Sequence, residues 1–291
     1  MNQPRARATL VPACAAHLLH DGLSDLLYVI FPVWARAFSF SFAQVGLLKT
    51  GYSGALALFQ IPAGFLAECW GEARPLAVGT AVAALGFFAL GTANGFLSLL
   101  LFLLVAGLGS AVQHPLSSTL VSRVYEEGPR RIALGTYNFA GDVGKIILPT
   151  GVALVTAWAG WRWASRGIGV LILASALAIL IILTRLAVHP GGERAGPAAG
   201  AAGSGWGIRD GRGFAVLSAI HSIDSSTRTS FLTYLPFLLL AKGGAVETVG
   251  VALGLLFTGG AVGKFVCGGA AERLCVGRRL LELEWRERGV G

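Results

Sequence analysis

A chain of 291 residues would ordinarily hold one or two soluble domains, but 54% hydrophobic residues, 13% charged residues and a mean hydropathy of +0.68 exclude that class. The formal charge of +8 would suggest nucleic acid in a soluble protein. Here the basic residues fall between apolar runs, where they orient membrane segments, so no nucleic-acid partner is expected.

Apolar stretches predict eight membrane helices, over 9–33, 44–69, 76–94, 97–122, 132–157, 164–187, 213–240 and 247–271. The first carries His17, His20, Asp21 and Asp25 and has no small-residue cleavage site, so it reads as a retained helix and not a signal peptide. His17, Asp21, Ser24 and Tyr28 are spaced to share one face, with His20 beside it. The second helix carries Lys49 and closes on Gly64-x-x-x-Glu68-x-x-Gly71, followed by Arg74. A carboxylate there lies at the headgroup boundary, where it can latch onto the end of a neighbouring helix; the plain alternative is an ordinary helix-end acid. The fourth helix brings Gln113, His114 and a Pro115 kink, whose freed carbonyl Gln113 or His114 could satisfy. On the fifth, Asn138, Asp142 and Lys145 form another stripe, in which Asp142 and Lys145 can pair locally.

A Gly/Ala/Pro-rich stretch over 188–212 reads as a cytoplasmic linker between a six-helix half, 1–187, and two further helices within 213–274. The seventh helix repeats the polar stripe with His221, Asp224, Ser225 and Arg228. The eighth carries Lys264 and ends in Gly268-x-x-x-Glu272, followed by Arg273. A charged stretch without a spanning run fills 275–291. Offset by 204 residues, His17 falls on His221, Pro32 on Pro236, Gly46 on Gly250 and Glu68 on Glu272, the mark of a parallel repeat built around a shared site. Ionisable groups are costly in a bilayer, so matching stripes are expected to line a wet cavity; the alternative is satisfied helix–helix contact. A His beside a carboxylate is a plausible proton carrier there, and Arg228 would attract an anionic group.

With the N-terminus cytoplasmic, inner loops hold Arg5, Arg7, Arg74, Arg123, Arg130, Arg131, Arg185, Arg194, Arg209 and Arg212. Outer loops hold only Arg36, Arg162, Arg166 and Lys242, so this orientation is expected. Gly107, Gly109, Gly141, Gly144, Gly254, Gly259, Gly260 and Gly263 are expected to let helices approach closely. Cys14, Cys69, Cys267 and Cys275 lack metal-ligand spacing, and there is no Walker motif or Gly-rich strand-to-helix turn, so neither metal nor cofactor is expected.

The Gly64–Gly71 motif and its copy from Gly268 to Arg279 resemble the loop motifs of major facilitator superfamily transporters. Within that superfamily, His17-Leu-Leu-His20-Asp21-Gly22, Ser41-Phe-Ala-Gln-Val-Gly46 and Gly107-Leu-Gly-Ser-Ala-Val-Gln-His114-Pro115 resemble the fosmidomycin-resistance type of exporter. The likeness covers roughly 9–274 and departs at Cys69, where a basic residue is usual, and at Cys275, where Gly is usual; both departures weaken the latch. It implies an all-α polytopic membrane protein with 6 + 2 of an expected 6 + 6 helices, so a C-terminally truncated form of a longer transporter is expected. It also implies proton-coupled antiport of a small molecule or drug, hence antibiotic resistance, in the plasma (inner) membrane, by a protein monomeric when full length. Partners are then the substrate, protons and the lipid bilayer. A non-transporting scaffold or regulatory remnant is the rival reading; an intramembrane enzyme using His17, His20 and Asp21 is a lesser one.

Overall fold

The computed structural model describes residues 3–125, 127–185, 210–263 and 266, and among these there is no strand. The helices are α1 (Gln3–Phe38), α2 (Phe42–Trp70), α3 (Ala73–Leu90), α4 (Phe96–Ser110), α5 (Gln113–Val124), α6 (Glu127–Ala159), α7 (Trp161–Arg185), α8 (Gly211–Ala241) and α9 (Val246–Gly263). The fold class expected from the sequence is thus observed. Among the described residues, five stretches are long and apolar enough to cross a membrane: Ala73–Leu90, Phe96–Ser122, Ile132–Ala159, Trp161–Ile182 and Val246–Gly263. The helices α1, α2 and α8 have 36, 29 and 31 residues, ample for a span, but polar side chains along them dilute their hydropathy.

Local chemistry explains the ends. Ser41 caps α2 through a capping box with Gln44, each bonding the other's backbone N–H. Gly71, at φ 75°, closes α2 in a conformation that a side chain would strain. Asp210 accepts from the Gly213 amide at 2.9 Å to start α8.

One expectation fails in detail. The span over 97–122 is two helices, broken at Ala111–Val112, and Pro115 does not kink a helix but lies in the first turn of α5. Proline is tolerated there because first-turn amides have no intrahelical partner. The His114 and Pro115 carbonyls are met by Ser118, at 2.6 and 3.3 Å, and by Thr119 on Pro115 at 2.7 Å.

The helix α1 lies at the centre, against α6 most extensively and also against α5, α7 and α8; α3 packs between α4 and α7. Missing side chains permit these approaches. A Cβ on Gly144 would collide with the Leu18 carbonyl, and one on Gly109 with the backbone of α3 at Gly79 and Ala83. Gly107, Gly141 and Gly254 likewise face neighbouring helices, as expected, but Gly259, Gly260 and Gly263 have nothing within 4 Å. Their small size is therefore not explained by packing among the described residues.

The core holds Leu26, Leu27, Leu48, Tyr52, Phe87, Leu99 and Leu103. Where α1 turns into α2, rings close one end of the bundle: Trp34, fully buried, meets Phe31 and Trp161, and Phe40 meets Phe38 and Phe96. The outer surface is apolar too, with Leu58, Leu97, Ile132 and Trp158 exposed; lipid imposes no hydrophobic penalty on such a surface.

The repeat is visible in element positions, since α2 starts at 42 and α9 at 246, and 42 + 204 = 246. Both repeat-related glycines lie where α8 and α9 meet the preceding helices. A Cβ on Gly46 would meet the Tyr234 hydroxyl at 2.9 Å, and one on Gly250 would meet Ala153 of α6 at 2.6 Å. Tyr234 donates to the Phe42 carbonyl at 3.1 Å, and Phe42 is edge-on to Tyr234 and Phe237.

Candidate functional site

Asp21, buried on α1, collects charged and polar groups from three helices. Lys145 of α6 places Nζ 3.0 Å from Oδ2, while His17 Nε2 lies 3.2 Å and His114 Nε2 3.6 Å from Oδ1. Lys145 also reaches Asp142 at 3.3 Å, the local pair expected on α6, so it bridges two carboxylates. Room for this cluster comes from Gly141, whose Cβ would stand 2.7 Å from Asp21 Oδ2 and 2.8 Å from the His17 ring.

His17 is fixed from its other side. Nδ1 lies 2.8 Å from the Tyr137 carbonyl, and the ring stacks on the Tyr137 ring with centroids 4.0 Å apart. A carbonyl can only accept, so Nδ1 carries a hydrogen; a neutral imidazole would then turn the Nε2 lone pair toward the Asp21 carboxylate. Two acceptors at 3.2 Å need a proton between them. A single proton placed between His17 Nε2 and Asp21 Oδ1 would bond both. His114 is the more accessible of the two imidazoles, its side chain 45% exposed where that of His17 is 5% exposed.

The ligand-type atoms of His17, Asp21 and His114 lie within 4.8 Å of one another, a spacing that one cation could bridge. The Lys145 ammonium on the carboxylate's other oxygen supplies positive charge there in any case.

The remaining residues singled out from the sequence divide. His20 is buried, with its ring edge-on to His114 at 4.8 Å. His20 Nε2 and Gln113 Oε1 have no partner, and both residues line a small cavity of about 20 Å³, room for about one water. Asn138 is exposed and stands outside the cluster; its neighbour Tyr137 faces His17 instead. His221, Asp224 and Arg228 on α8 are exposed; none of the three enters the Asp21 cluster, though Arg228 comes near Asp25. At the α2–α3 loop, Gly71 makes the tight turn but Glu68 and Arg74 are exposed, Gly64 has nothing near it, and the buried acid is Glu72. The copy at Gly268, Glu272 and Arg273 lies outside the described residues, as does Lys264.

A second buried group was only partly foreseen. Asp25, one turn beyond Asp21, and Lys49 of α2 are both buried, and Arg228 of α8 is near enough to act on each charge. Tyr52 links this group to the rest through Ser24 Oγ at 3.0 Å and Ser110 Oγ at 3.3 Å. The four-residue step from Asp21 to Asp25 was the available signal.

Residues 13–281 match the family described as Major Facilitator Superfamily. The chain is 28% identical over 167 residues to the fosmidomycin resistance protein of Escherichia coli (strain K12), covering 57% of this chain and 40% of that one. It is 32% identical over 126 residues to a multidrug resistance protein B homolog of Mycobacterium tuberculosis (strain ATCC 25618 / H37Rv), covering 42% of this chain and 22% of that one. Its match thus spans less than half the length of these curated relatives. Among solved structures, a bacterial homolog to the human lysosomal transporter Spinster, inward-facing and occupied, superposes with a TM-score of 0.76 at 20% identity, over 94% of this chain and 62% of the other. Its unoccupied inward-facing form gives 0.71 at 18% identity, over 94% and 64%.

Proposed function

This chain belongs to the Major Facilitator Superfamily, an integral membrane family, and on that premise we propose that the transporter to which it corresponds exports a small molecule in exchange for protons. The observation that carries the proposal is the His17–Asp21 pair, a buried imidazole and carboxylate 3.2 Å apart, placed to share a proton. When the proton leaves through His114, the Nε2 lone pair and the carboxylate repel. Asp21 then depends on Lys145, which ties α1 more firmly to α6. Proton binding thereby changes the contacts between two helices, the differential interaction that a coupled conformational change requires.

The names of two relatives make drugs the first substrates to try, fosmidomycin among them. Arg228, exposed on α8, suits an anionic group on such a substrate. His20, Gln113, Asn138, Asp142, His221 and Asp224 are assigned to the substrate and proton path, and Gly64, Glu68, Gly71 and Arg74 to the cytoplasmic gate. We place the protein in the plasma (inner) membrane with the N-terminus cytoplasmic, on the distribution of Arg and Lys.

The test is fosmidomycin efflux from vesicles under an imposed pH gradient. His17→Ala and Asp21→Asn are each expected to reduce efflux at least tenfold with the protein still in the membrane. Undiminished efflux in both variants would remove the coupling role. The exposed polar face of α8 is what a scaffold would offer to another membrane protein; absence of gradient-driven efflux in the unmodified protein favours that second reading.

A further inference from the structure

Lys49 presents a chemistry that the proton path leaves unused. Its side chain is buried, and Nζ lies 4.5 Å from the Tyr28 ring centroid and 5.7 Å from that of Tyr52. Both rings are buried: Tyr52 is 1% exposed and bonded to Ser24 and Ser110, and Tyr28 is 3% exposed. Among the described residues no carboxylate comes within ion-pair distance of Nζ. Asp25 acts on it from farther off, and Arg228 faces the same pair from α8. A buried ammonium is thus met first by two ring faces and then by a carboxylate at longer range. Aromatic cages recognise organic ammonium groups in this way. Here the cation is tethered to α2.

We propose that Tyr28, Tyr52 and Asp25 form a binding site for an alkylammonium group, with Lys49 as its built-in occupant, so that Lys49 shuts organic cations out of this site. The selectivity this confers on transport rests on the export reading above; the cage itself does not. Shortening Lys49 leaves two ring faces without their cation and Asp25 with only Arg228 acting on it, an arrangement that favours replacement from solution.

The experiment is thermal unfolding of the full chain in detergent micelles, with ethylammonium chloride compared against sodium chloride at equal ionic strength. Unmodified protein is expected to melt alike in both salts. Lys49→Ala is expected to melt lower and to regain about 3 °C in ethylammonium only, because a ligand bound to the folded state alone raises the midpoint. Adding Asp25→Asn to that variant is expected to abolish the gain. Equal melting of Lys49→Ala in the two salts overturns the proposal. Should Lys49→Ala not fold, position 28 decides instead, in a chain that keeps Lys49. A fluorinated phenylalanine there, equal in shape to phenylalanine but with a reversed ring field, is expected to melt below Tyr28→Phe, and equal melting overturns the proposal. Loss of efflux with ethylammonium rescue intact would count against export alone, and the converse against the cage alone.

Discussion

The helices α1 and α8 stand 204 residues apart with polar stripes of the same make, yet one is buried and the other exposed. His17 and Asp21 are 4% and 8% exposed because α5, α6 and α7 close over α1, whereas His221 and Asp224 of α8 are exposed. Of α8, only Leu232, Thr233 and Pro236 are buried, all near its C-terminal end. The difference shows that a stripe of His and Asp does not by itself make a site. The site arises where a neighbouring helix supplies Lys145 and a glycine supplies room.

The largest effect that could break this comparison is removal of each aspartate. Asp21→Ala leaves Lys145 and His17 facing a void, and is expected to cost roughly 3 kcal/mol in unfolding, the lower end for one partner of a buried pair because Lys145 retains Asp142. Asp224→Ala, at an exposed position, is expected to change stability by no more than about 0.5 kcal/mol. Equal losses in denaturant titrations would erase the distinction. Next comes Gly141→Ala. Its methyl would press on Asp21 and His17, and a cost of about 2 kcal/mol, typical of overpacking, is expected together with weaker efflux. Smaller still is Gly250→Ala, against Ala153 of α6, at about 1 kcal/mol. Gly46→Ala should cost less, since the Tyr234 ring it meets can tilt; melting midpoints of the two variants would rank them.

Much of this was legible in the chain. Apolar length and the 204-residue offset pointed to the helices and to the matched starts of α2 and α9. Spacing placed His17 and Asp21 on one face and paired Asp142 with Lys145. What spacing could not carry was register between helices. That Lys145 would also reach Asp21, that His114 would come within 3.6 Å of Asp21 after a break at Ala111–Val112, and that Tyr137 and not Asn138 would face His17 all depend on how α1, α5 and α6 slide and rotate against each other. The burial of Asp25 and Lys49 was missed for the same reason: it follows from the seat of α2 and α8 on α1.

The ring-lined corner at Trp34 and the Phe42–Tyr234–Phe237 contact lie at the same end of the bundle. Suppose α8 tilts about that corner as about a fulcrum. Arg228, six residues from Tyr234, is roughly 9 Å up the helix, and His221, thirteen residues away, roughly 20 Å. A swing of about 10° then carries His221 through about 3 Å but Arg228 through less than half of that. Arg228 would shift little against α1 while the far tip of α8 moves most, a lever whose short arm carries the charge.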